Sequence, residues 1–164
     1  MKFLYYGGQK SGKSRLAEEK ALQLSTENKP YYIATYNNSY GDGEMEKRID
    51  KHQVQRQEQF ITIEESFDLS KVIKPNQTYL VDCISMWILN NIDKSEEELL
   101  MQLDTLDQID AHTVFVLNNV GSGVIPIDAK SRKFVDLTGV IGQYLAKICD
   151  EVYEVKLGLK SQLK

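Results

Sequence analysis

Proline is scarce and so is cysteine, with three of the first and two of the second in 164 residues. Few prolines beside 41% hydrophobic and 27% charged residues give no compositional basis for a disordered chain. Cys83 and Cys149 lie far apart with neither metal nor redox spacing, so two reduced, buried thiols are expected. No long basic block exists and the formal net charge is −4, which removes bulk attraction to nucleic acid or to an anionic membrane surface. No window approaches the roughly 18 apolar residues of a membrane helix. The stretch Phe3-Leu4-Tyr5-Tyr6 meets Gly7-Gly8 too soon for a signal-peptide core. A cytoplasmic protein with no membrane span and no nucleic-acid partner is the expectation.

What is present is an alternation of short apolar runs and longer helical patterns. Strands are predicted at Phe3–Tyr6, Tyr31–Thr35, Phe60–Ile63, Thr78–Asp82, Thr113–Leu117 and Glu151–Lys156, with a further edge strand in the C-terminal tail. Helices are predicted at Lys13–Leu24, Glu44–Gln57, Ile84–Ile92, Ser95–Gln108 and Asp128–Cys149, the last with Gly139 and Gly142 as points where it would break. Ser95 and Glu98 form a capping-box pattern. This order predicts one α/β domain over residues 1–164, a mostly parallel sheet with helices on both faces.

Between the first strand and first helix stands Gly7-Gly8-Gln9-Lys10-Ser11-Gly12-Lys13-Ser14, a match to G-x-x-x-x-G-K-[ST]. Glycines let the backbone curl so that several N–H groups face one phosphate, and the helix beginning near Lys13 adds its positive end. Lys13 is expected to reach the β- and γ-phosphates of a purine nucleoside triphosphate, and the Ser14 hydroxyl to ligate Mg²⁺. Asp82 ends the run Tyr79-Leu80-Val81, where a Walker B aspartate would serve the same metal; capping the helix that follows is compatible with that role.

Two histidines occur. His112, between Ala111 and Thr113, reads as a solvated turn residue. His52 lies one helical turn from both Arg48 and Arg56. Like-charge repulsion there favours neutral imidazole, a nucleophile, while the guanidiniums could grip phosphate oxygens. Such a group suits attack on an α-phosphate to give a phosphoramidate; the same residues also fit a plain solvent-facing polar helix.

Taken together, Gly7-Gly8-x-x-Ser11-Gly12-Lys13-Ser14-Arg15, Tyr32-Ile33-Ala34-Thr35 and Glu44-Met45-x-x-Arg48-Ile49-x-x-His52-x-x-x-Arg56 resemble the bifunctional adenosylcobinamide kinase/adenosylcobinamide-phosphate guanylyltransferase family. So do Thr62-Ile63-Glu64-Glu65, Leu80-Val81-Asp82-Cys83, Val120-Gly121-x-Gly123-x-x-Pro126 and Asp150-Glu151-Val152-Tyr153. The resemblance runs in order over nearly the whole chain. It implies a RecA-like P-loop NTPase fold. It also implies two reactions of cobalamin assembly: phosphorylation of adenosylcobinamide by ATP or GTP, and GMP transfer from GTP to adenosylcobinamide phosphate, giving adenosylcobinamide-GDP.

By the same resemblance His52 is the guanylylated nucleophile. Thr35, Tyr36 and Asn37, then Gln53, Val54, Gln55 and Arg56, Glu64 or Glu65, and Asp82 line the nucleotide site. Family members are similar to trimers in which a neighbouring subunit completes each site. The chain departs from the family pattern at Asn119, usually glutamate, and at Val140 and Gly142 in the long helix, usually arginine and asparagine. Two other readings use the same phosphate loop: a P-loop kinase for another small molecule, and a nucleotide-binding regulator without transfer. Neither gives His52 a task, and no N-K-x-D guanine-reading sequence supports a GTPase switch.

Overall fold

The computed structural model describes residues 1–37 and 58–164. The helix expected at Glu44–Gln57 lies outside them. Seven strands form one sheet in the order β3-β2-β4-β5-β1-β6-β7. They are β1 Lys2–Gly7, β2 Tyr31–Ala34, β3 Ile61–Glu64, β4 Thr78–Asp82, β5 His112–Asn118, β6 Glu151–Lys156 and β7 Leu159–Gln162. All neighbours are parallel except β7, which returns antiparallel on β6.

The apolar runs are continuous because both faces of the sheet are covered. Along β1, Phe3 and Tyr5 join one buried cluster with Ala17 and Ala21 of α1 (Lys13–Leu24), while Leu4 joins the other. On that second face lie Ile84, Trp87 and Ile88 of α2 (Ile84–Asn90), Leu99, Leu103 and Leu106 of α3 (Glu96–Asp107), and Leu137, Ile141 and Leu145 of α4 (Ala129–Ile148). Each such fully buried side chain contributes about 1.5–3 kcal/mol. Strand β5 sits between β1 and β4, so the phosphate-loop strand and the Asp82 strand are not neighbours. That is the RecA-like arrangement.

Ser95 caps α3 through the capping box, its hydroxyl accepting from the Glu98 amide and the Glu98 carboxylate accepting from the Ser95 amide. Some boundaries move. Strand β3 begins at Ile61, and Phe60 instead packs its ring edge-on to Tyr32. Thr35 leaves β2, its carbonyl accepting from the Asn90 side chain instead of from a neighbouring strand. Helix α2 ends at Asn90, and a short 3-10 turn at Leu69–Lys71 was not foreseen. Helix α4 does not break at Gly139 or Gly142. Mid-helix glycine costs only about 1 kcal/mol, less than burying Leu137, Ile141 and Leu145 returns. Gly142 also lets α4 lie close, since a Cβ there would stand 3.2 Å from Cδ2 of Leu117. His112 opens β5 rather than sitting in a turn, and its Nδ1 is 3.1 Å from the Met1 amino group.

Candidate functional site

Parallel strands end together, and here the C-terminal ends of β1, β2, β3, β4 and β5 form one edge. Ligands of open α/β sheets bind at such an edge. At the end of β1 the chain turns through residues 8–12 into α1. The turn needs left-handed backbone at Lys10 (φ 54°) and Gly12 (φ 94°). Gly7 is required by close approach: a Cβ there would stand 2.4 Å from the carbonyl oxygen of Val155.

Helix α1 starts at Lys13 with Gly12 as its cap, and among the described residues no side chain caps its first amides. Those N–H groups, with the positive end of a 12-residue helix behind them, are available to an anion. The loop carbonyls are engaged elsewhere. The amide of Asn119 donates to Gly7 at 2.8 Å, and the amide of Gly158 to Ser11 at 2.8 Å. Lys13 is 7% exposed and its Nζ donates to the Gly8 carbonyl at 3.1 Å. Burial pushes its pKa below the ordinary lysine value, while the nearby Asp82 and Cys83 pull it back up. Ser14 is half-buried in the first turn of α1; Gln9 and Lys10 are exposed at the loop tip.

Asp82 ends β4, in register with Ala34 of β2 and Val116 of β5. One carboxylate oxygen accepts from the Tyr32 hydroxyl at 3.1 Å. Next to it Cys83 joins Thr35: the Thr35 hydroxyl donates to the Cys83 carbonyl at 2.8 Å and accepts from the Cys83 amide at 2.9 Å. The Thr35 carbonyl in turn accepts from the Asn90 side-chain amide at 2.7 Å, which also donates to Ser66 at 3.0 Å. Tyr36 and Asn37 continue from there, and the Tyr36 hydroxyl is buried without a hydrogen-bond partner among the described residues.

Thus Gly7 to Ser14, Thr35 to Asn37, Glu64, Glu65 and Asp82 stand along one edge, though not at one point. Glu64 ends β3 and is exposed. It lies four strands from β1, about 19 Å at the usual strand spacing. The Glu65 carboxylate accepts from the amides of Phe67 at 2.8 Å and Asp68 at 3.0 Å. His52, Gln53, Val54, Gln55 and Arg56 lie outside the described residues.

The family model described as cobinamide kinase / cobinamide phosphate guanyltransferase matches residues 3–163. The chain belongs to this family. A bifunctional adenosylcobalamin biosynthesis protein CobP of Pseudomonas aeruginosa is 34% identical over 180 aligned positions, covering 100% of this chain and 98% of that protein. The corresponding protein CobU of Escherichia coli K12 is 31% identical, and that of Salmonella typhimurium 30%, each over 186 positions with both chains fully covered.

In this cobinamide kinase/guanyltransferase chain, several supporting residues escaped sequence reasoning. Tyr32 belongs to the family-like run Tyr32–Thr35, but nothing in that run points to Asp82, and Asn90 carries no signal within its helix. Asn118, at the end of β5, donates its amide to the Ser85 hydroxyl at 2.9 Å and its side-chain NH₂ toward Cys83 Sγ at 3.7 Å. Gly158, in the tail read only as a further edge strand, lies beside the phosphate loop. Burial and Asp82 push the Cys83 thiol up to about 12, which leaves it an inert neighbour.

The site also bears on Mg²⁺. Among the described residues no group of three or more His, Cys, Asp or Glu could hold a metal alone. A hydroxyl at Ser14 and a carboxylate at Asp82 are hard oxygen donors of the kind Mg²⁺ takes when substrate phosphates and water complete its shell. The residues fit a metal that arrives with nucleotide.

Proposed function

We propose that this chain phosphorylates adenosylcobinamide with ATP or GTP and then transfers GMP from GTP to adenosylcobinamide phosphate, giving adenosylcobinamide-GDP. The observation that carries it is Lys13, buried at the mouth of the phosphate loop and within electrostatic reach of Asp82. Family membership over residues 3–163 gives this nucleotide site its reaction class.

The loop amides and Lys13 bind the polyphosphate and neutralise charge on it as it is transferred. Ser14 and Asp82 would hold Mg²⁺, which, when bound, supplies Lewis-acid stabilisation to the phosphate oxygens. In the transferase half, a ring nitrogen of His52 attacks the α-phosphorus of GTP. The α–β bridging bond breaks and pyrophosphate leaves on the loop. A phosphate oxygen of adenosylcobinamide phosphate then attacks the same phosphorus, and the P–N bond breaks to release histidine. In the kinase half, the substrate hydroxyl attacks the γ-phosphorus and loses its proton. At about 19 Å from β1, Glu64 is too distant to touch the triphosphate held at the loop, so the reading assigns it, with Tyr36 and Asn37, to the nucleoside end. Gln53 to Arg56 would flank His52. The active form is read as a homotrimer whose neighbouring subunit completes each site.

Mass spectrometry after incubation with Mg²⁺-GTP tests the transferase half. One added GMP on His52, lost on adding adenosylcobinamide phosphate, is expected. Intact GTP binding with no adduct, and full activity in His52→Ala, would sink it. Light scattering at working concentration tests the trimer.

A further inference from the structure

A loop that turns its N–H groups inward to a phosphate must turn carbonyls outward, and an outward carbonyl packed against protein needs a donor. For two loop carbonyls the donor comes from outside the loop and helix α1: Asn119 for Gly7, and Gly158 for Ser11 at 2.8 Å. Gly158 belongs to the two-residue turn joining β6 to β7, with Lys156 paired to Leu159. Both turn residues are left-handed, Leu157 at φ 53° and Gly158 at φ 80°, the type I′ geometry of tight hairpins.

The turn touches the phosphate loop backbone to backbone. A Cβ on Gly12 would stand 3.2 Å from Cα of Gly158. Strand β7 itself is exposed at all four residues, and Leu157 at the tip is 96% exposed. Strand β7 therefore adds little to the core that β6 enters through Val152, Tyr153 and Val155, yet the hairpin tip is set against the one loop on which triphosphate binding depends.

We propose that Gly158 is a positioning residue for triphosphate binding: its amide anchors the Ser11 carbonyl outward and so holds the neighbouring loop amides toward the phosphates. This rests on the reading of Gly7 to Ser14 as the phosphate site. The role belongs to the backbone. A Cβ on Gly158 would meet nothing within 4 Å, so glycine is needed there for its positive φ and not for space.

The native Cys149 allows the test by ligation of a synthetic peptide spanning residues 149–164. Glycolic acid at position 158 replaces the donating amide with an ester and leaves the turn otherwise unchanged. The control is an ester at Leu163, whose amide donates to Val152 at 2.7 Å in the same hairpin. Relative to the all-amide ligated protein, the ester at 158 is expected to weaken GTP binding about tenfold, as loss of one well-placed hydrogen bond allows. The Leu163 ester should match it in melting temperature but keep GTP affinity. Equal affinity in the 158 ester and the all-amide protein, or equal losses in both esters, overturns the inference. An all-amide protein that binds no GTP overturns the phosphate-site reading, and the inference with it. Should the ester not refold, recombinant Gly158→Ala is expected to raise the KM for GTP several-fold with kcat little changed. Gly158→Asn, which tolerates positive φ better, should recover part of the loss; wild-type KM in both variants overturns the proposal.

Discussion

The hydroxyl of Thr35 bonds both peptide groups of Cys83, donating to its carbonyl at 2.8 Å and accepting from its amide at 2.9 Å. The side chain is thereby a brace between the end of β2 and the residue after Asp82. Thr35→Val keeps the shape and removes both bonds. Because the Cys83 amide would lose its partner, while the carbonyl keeps only the Trp87 amide at 3.3 Å, a loss of about 1–3 kcal/mol is expected in urea unfolding. An unchanged midpoint would show that the junction relaxes or finds water.

Tyr32 holds one oxygen of Asp82 at 3.1 Å. Tyr32→Phe removes that bond with little change of volume. The carboxylate then has more rotational freedom, and the Mg²⁺ concentration giving half-maximal nucleotide binding should rise several-fold, with a smaller change in metal-free binding. Titration of GTP binding against Mg²⁺ checks it; identical curves would remove Tyr32 from the site.

Lys13 combines burial with a lowered pKa. Its charge is lost at lower pH than that of an ordinary lysine, so GTP association should fall as pH rises, before exposed lysines titrate. Arginine stays protonated there, and Lys13→Arg should abolish that alkaline fall while binding more weakly at neutral pH. Lys13→Met should cost at least ~100-fold in kcat/KM. The sign for stability is opposite. Between the lowered folded pKa and the ordinary lysine value the unfolded chain binds more protons, so stability rises with pH through that window. Removing this buried charge should leave the melting temperature equal or higher. A large drop in melting temperature in Lys13→Met would contradict the desolvation account.

The phosphate loop, the strand–helix alternation and the Ser95 cap were legible because each depends on residues close in sequence. The Gly7-to-Ser14 pattern needs only a strand before it and a helix after. Which oxygen steadies Asp82 was not legible, since Tyr32 lies 50 residues away and meets it across β2 and β4. Nor was the engagement of Glu65, whose carboxylate serves the amides of Phe67 and Asp68. Gly142 read as a point where the helix would break, by propensity; the burial of Leu137, Ile141 and Leu145 around it is a tertiary fact that overrides propensity. Reading His52 as a nucleophile rests on family resemblance, because helical spacing alone fits an exposed helix equally well.

Cys83 and Cys149 are free, and both thiols are pushed up to about 12, chiefly by burial. Thiolate is the reactive form, and at pH 8 its share would be on the order of one in ten thousand. The folded protein should resist iodoacetamide at pH 8, with both sites labelled in denaturant. Fast modification of Cys149 under native conditions would show an opening that its burial does not allow; Cys83 is half-buried, and its resistance rests on the raised pKa.

Lys164 donates its ammonium to the carbonyls of Ala146 at 3.0 Å, Lys147 at 2.9 Å and Cys149 at 2.7 Å. These close the negative end of the 20-residue helix α4. Lys164→Met should cost about 1 kcal/mol of stability, read as a shift in denaturant midpoint, with GTP affinity unchanged. No shift would mean that water serves those carbonyls equally well.

The interior position of β1 has a consequence for how the protein folds. Its two partners, β5 and β6, are encoded more than a hundred residues downstream, and such distant pairings form late and at an entropic cost. The loop at the end of β1 is thus held in shape only once β5 and β6 have joined it, so the segment that carries the nucleotide signature waits on residues far beyond it before it can grip a nucleotide.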